Sequence, residues 1–72
     1  MTYRYKGEIR QPTPQEIKDT RARVMLTQQA AAELVHRADR RRWVEWETGK
    51  YKIDLAVWEL FLIKTKLREN TY

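Results

Sequence analysis

The chain has 72 residues, which allows one domain with a small core and a thin folding margin. It has no cysteine and a single histidine, His36, so disulfides, thiolate metal sites and a histidine metal cluster are excluded and no cofactor is expected. A formal charge of +5 favours a polyanionic partner. With no run near the roughly 20 apolar residues of a membrane span and no apolar signal stretch, a cytoplasmic protein without a membrane partner is the expectation.

Residues 1–12 carry Arg4, Lys6 and Arg10 against Glu8, and Gly7, Pro12 and Pro14 deny them a long helix. They read as an extended basic N-terminal arm preceding a domain over residues 13–72. Tyr3, Tyr5 and Ile9 alternate with charged residues, which also fits a short strand pairing with residues 50–53 or with another subunit. The first helix starts at a capping box: Thr13 caps, Pro14 suits the first helical position and Glu16 stands three residues after Thr13. Ile17, Arg21, Val24 and Met25 follow at helical spacing. Thr27 caps a second helix over residues 28–35, where Ala30, Ala31 and Ala32 allow close approach of a neighbour.

Asp39 caps a third helix, residues 40–47, on which Trp43 and Trp46 share one face and after which Gly49 stops the turn. Asp54 caps the last helix, from Leu55 to about Lys66. Its apolar positions, including Trp58, Phe61 and Leu62, nearly encircle it and need more than one burial surface. Trp58 and Phe61 are therefore the candidates for a self-association face, with a homodimer as the expected state. There are no internal repeats, so the whole reads as an all-α, four-to-five-helix bundle.

Residues 13–66 of this bundle resemble the lambda-repressor-like, Xre-type helix-turn-helix transcriptional regulators. The resemblance rests on Arg21, on Leu26, Thr27 and Gln28 opening the second helix, on Ala32, and on Trp46, Glu47, Thr48, Gly49 and Lys50 closing the third. The run WELFLIKT at residues 58–65 brings it closer to small prophage-type regulators. The resemblance implies sequence-specific binding of double-stranded DNA and no small-molecule substrate. It implies a structural ion pair between Arg21 and Glu47, and it places Gln28 against a DNA phosphate. Arg40 and Arg41 then stand at the base-reading positions, and Arg42, Val44 and Glu45 complete the same outward face. Lys50 and Lys52 follow in a loop that runs along the phosphates in relatives, where the Tyr51 hydroxyl is a further candidate contact.

The chemistry fits these roles, because an arginine can donate two hydrogen bonds to guanine O6 and N7 and a glutamate can accept one from cytosine N4. Two readings of Glu45 stand side by side: direct readout, or an ion pair that orients Arg41 or Arg42. Gln29 is a phosphate contact or a solvated helix residue. The chain between Ala32 and Trp43 is one residue longer than the usual spacing, and His36 stands where a turn glycine is common. If that residue lies in the loop, Arg40 and Arg41 keep their register; if it shifts the helix start, Arg42 leads.

No paired carboxylates, nucleophile with a base, or phosphate-cradling glycine loop is present, so an enzyme is not expected. The expected function is a transcriptional repressor of phage or prophage type, acting by occupying its operator. The competing function is a protein-interaction module, an antitoxin or phage-encoded inhibitor, that reuses the same fold on an acidic partner.

Overall fold

Local chemistry at four positions starts four helices. Thr13 Oγ1 accepts from the Glu16 amide at 3.1 Å while Glu16 Oε1 accepts from the Thr13 amide at 2.8 Å, and α1 runs over Pro14–Arg23. The Thr27 hydroxyl accepts from the Ala30 amide and opens α2, Gln28–Leu34. Asp39 and Asp54 each accept from the amide two residues on, at 2.8 Å, and open α3, Arg40–Thr48, and α4, Leu55–Lys64. Each cap satisfies an amide that the first turn leaves unpaired. The computed structural model describes residues 9–37 and 39–68, and within them the chain is all-α, with these four helices and no strand.

The helix ends share one geometry. After α1, α2, α3 and α4 the chain turns through a left-handed residue: Met25 (φ 60°), His36 (φ 64°), Gly49 (φ 84°) and Lys66 (φ 65°). The next amide bonds back five residues in each case: Leu26 to the Arg21 carbonyl, Arg37 to Ala32, Lys50 to Glu45 and Leu67 to Leu62. Only Gly49 adopts this region without steric cost. His36 is thus a turn residue in the left-handed conformation, and α3 still begins immediately after Asp39. Met25, expected at helical spacing with Ile17, Arg21 and Val24, lies beyond the end of α1 and is 90% exposed.

The core forms around α3. Its Trp43 and Trp46 meet edge to face at 5.5 Å, and Trp43 lies 4.9 Å from Phe61 of α4. Phe61 in turn stacks on Trp58 at 5.7 Å. Ile17 of α1, Ala31 and Ala32 of α2, Val35 and Ile53 close the cluster. With methyl groups at 31 and 32, the α2 backbone can lie close to its neighbours, and it packs on both α3 and α4. Trp58 and Phe61 are each 0% exposed, so the expectation that they form an association face is corrected. The residues that cover them come from other elements, which α4's own pattern does not reveal.

The residues expected as an arm are partly placed. Ile9 packs against the core, Pro12 is buried, and the Gln11 amide donates to the Ile53 carbonyl at 2.9 Å. Residues 9–12 therefore lie on the helical body rather than extending from it, and residues 50–53 form no strand. Tyr3 and Tyr5 lie outside the described residues.

Candidate nucleic-acid interface

The orientation of α3 is fixed from its inner side. Glu47, with 4% of its side chain exposed, faces Arg21 of α1, which keeps 17%. Arg21 Nε donates to Glu47 Oε2 at 2.6 Å and Nη2 to Oε1 at 3.2 Å, a two-pronged ion pair. Trp43 Nε1 also donates to Oε2, at 2.6 Å, and the Gln28 amide to Oε1, at 3.1 Å. Arg21 Nη1 donates to the Leu26 carbonyl as well. Burial pushes the Glu47 carboxyl up, but the bonds from Arg21, Trp43 and Gln28 and the Arg21 charge outweigh it, and the group lies below the ordinary carboxylate range. One carboxylate thereby ties α1, α2 and α3 together.

Gln28, expected on a phosphate, thus has its amide nitrogen turned inward to Glu47. The Gln29 amide donates to Glu33 at 2.9 Å along the exposed side of α2. Neither glutamine is held toward α3's outward side by these bonds.

That outward side is strongly basic. Residues 37–52 hold six cations, Arg37, Arg40, Arg41, Arg42, Lys50 and Lys52, all exposed. They hold three carboxylates, and Glu47 is occupied inside by Arg21, so Asp39 and Glu45 remain and the outer balance is six minus two, or +4. Arg40 has no side-chain partner among the described residues. Arg41 pairs with Asp39 at 3.4 Å, with 80% of its side chain in solvent. Arg42 Nη1 pairs with Glu45 Oε1 at 3.3 Å, and Lys50 Nζ lies 4.0 Å from Glu45 Oε2. Of the two readings of Glu45, the geometry is that of an ion pair with Arg42. Val44 is half-buried.

Two features escaped the sequence, the place of Arg37 and the tie made by Lys64, whereas Tyr51 was expected only for its hydroxyl and not for its ring. Arg37 and Tyr51 join Asp39, Arg41, Arg42 and Glu45 in lining an open cleft of about 300 Å³. No periodicity marks Arg37, which stands in the turn before α3, and Tyr51 enters because the loop folds back onto the Glu45 carbonyl. Lys64 Nζ donates to the Leu34 carbonyl at 2.9 Å and lies 3.1 Å from His36 Nε2, fastening the turn between α2 and α3 to α4. Among the described residues no group of three or more His, Cys, Asp or Glu could hold a metal ion, and no helix is long and apolar enough to cross a membrane.

The cleft and the arginines around it can hold anionic and planar hydrogen-bonding groups, which are the chemical features of a nucleic acid. No family model and no curated protein matches the chain.

Proposed function

We propose that this chain is a cytoplasmic, sequence-specific double-stranded DNA-binding regulator of the lambda-repressor-like helix-turn-helix type, with α2 and α3 as the motif and α3 lying in the major groove. It represses by occupying its operator. The observation that carries the reading is the division of α3: Trp43, Trp46 and Glu47 are locked inward, while Arg40, Arg41 and Arg42 project from the first turn into solvent. A rigid helix with a basic, base-reading end is what major-groove recognition requires. Lys50 and Lys52 flank it as phosphate contacts. Two copies on one operator would set their recognition helices about 34–36 Å apart, in successive major grooves.

Selection from a random duplex library, followed by a salt series on the selected and a scrambled duplex, tests this. The expected results are a defined motif and an affinity that falls with salt, with a slope of about 0.9 per neutralised phosphate. No duplex binding at low salt rejects the proposal. A symmetric motif with that spacing reports two copies, and a single asymmetric half-site reports one.

A further inference from the structure

The three arginines of α3's first turn stand in unequal surroundings. Among the described residues Arg40 has no side-chain partner, and Arg41 meets only the exposed Asp39 carboxylate, at 3.4 Å. Arg42 is held from two sides. Glu45 Oε1 lies 3.3 Å from its Nη1, and its guanidinium carbon lies 5.3 Å from the centre of the Tyr51 ring. The backbone that carries the ring is held: the Glu45 carbonyl accepts from the Lys50 amide at 3.0 Å and the Tyr51 amide at 3.4 Å, which folds the loop back onto the end of α3. Lys50 Nζ reaches the same ring at 5.8 Å and the same carboxylate at 4.0 Å. Both cations are within reach of the ring's negative face.

Arg42 nevertheless keeps 49% of its side chain exposed and lines the cleft beside Arg37 and Arg41. Reading guanine requires both prongs of a guanidinium in one plane. An arginine that is already stacked and paired loses less freedom on binding than one free to turn. The Glu45 carboxylate, shared between two cations, is not offered to cytosine.

We infer that Arg42 is the guanine-reading residue of this interface, with Glu45 and Tyr51 as its positioning residues and with Arg40 and Arg41 on phosphates. This rests on the DNA-binding reading above and reassigns the specificity within it.

The test replaces each invariant guanine of the selected motif by 7-deazaguanine, which keeps O6 but lacks the N7 acceptor. Wild-type protein loses about tenfold in affinity at one guanine, the equivalent of one charge-assisted hydrogen bond. Arg42→Ala binds the unmodified duplex about tenfold to a hundredfold more weakly and is then indifferent to the modification. Arg42→Lys keeps the charge without the fork and binds the unmodified duplex more weakly than wild type, with an unchanged salt slope. Arg40→Ala and Arg41→Ala retain the 7-deazaguanine effect but lower the salt slope by about 0.9 each. Tyr51→Ala and Glu45→Gln weaken discrimination at that guanine alone, and Tyr51→Phe, which keeps the ring, restores it.

The inference is overturned if Arg42→Ala still responds to every 7-deazaguanine, or if Arg40→Ala or Arg41→Ala removes the response instead. Absence of any duplex binding is a different failure, since no motif would emerge from the selection, and it removes the function reading along with this one.

Discussion

Glu47 accepts from Arg21 Nε and Nη2, from Trp43 Nε1 and from Gln28 Nε2, so its ionised form is favoured by the fold. Replacing it with Gln keeps the size and an acceptor but leaves the Arg21 guanidinium without its counter-charge. We expect a loss of about 3 kcal/mol, the low end for a broken buried pair because Arg21 retains some contact with water. The pH dependence follows from the lowered value. A carboxyl that titrates lower in the folded chain than in the unfolded one, where it lies at about 4.3, contributes its full stability above the unfolded value. That contribution is lost as pH falls through the folded one. Glu16, held down by the Arg10 guanidinium and the Thr13 amide, acts in the same direction. Denaturant melts from pH 7 to the acid range should therefore show falling stability for the wild type and a shallower fall for Glu47→Gln. Equal slopes would mean that Glu47 is not ionised inside the network.

At the level of elements, the left-handed helix ends predict a gain rather than a loss. A side chain in that conformation costs about 1–2 kcal/mol, and Met25 recovers nothing by packing, since it is 90% exposed. Met25→Gly should stabilise by about 0.5–1 kcal/mol after the extra freedom of glycine in the unfolded chain is deducted. For a chain of this size that is a rise of about 2–8 °C in Tm. An unchanged or lowered Tm would show that the residue carries no strain. His36→Gly should gain less, because it gives up the contact with Lys64. The helix starts were legible in the sequence: Thr13, Thr27, Asp39 and Asp54 all cap as expected, since a cap depends on residues within one turn. The ends were less so. Helical spacing continues through Met25, but the chain leaves α1 after Arg23, and no glycine marks the exit.

For the whole molecule, what the sequence disclosed depended on how far apart the partners lie. The spacing of Trp43 and Trp46 gave their shared inward face, and Arg21 meets Glu47 across 26 positions, a pairing that only the family resemblance suggested. The i,i+3 pair of Arg42 and Glu45 was among the sequence's two readings, but the Tyr51 ring beside Arg42 was hidden, because it depends on the loop after α3 folding back to the Glu45 carbonyl. The burial of Trp58 and Phe61 was hidden too, since α4 is apolar on most sides and only its packing partners decide which side is covered. Phe61 now becomes the residue on which the fold most visibly depends, lying between Trp43 of α3 and Trp58 of its own helix. At about 0.05–0.15 kcal/mol per residue, a 72-residue chain has roughly 4–11 kcal/mol of total stability. Truncating a buried phenylalanine to alanine removes about 3–5 kcal/mol of it. Phe61→Ala should therefore lose most of its helical circular dichroism well below the wild-type Tm, whereas Phe61→Leu, which keeps most of the volume, should stay folded with a lower Tm. Sedimentation separates this from a role in self-association: a Phe61→Ala protein that keeps its helicity and Tm but changes its oligomeric state would place the ring on a surface, against the burial found here.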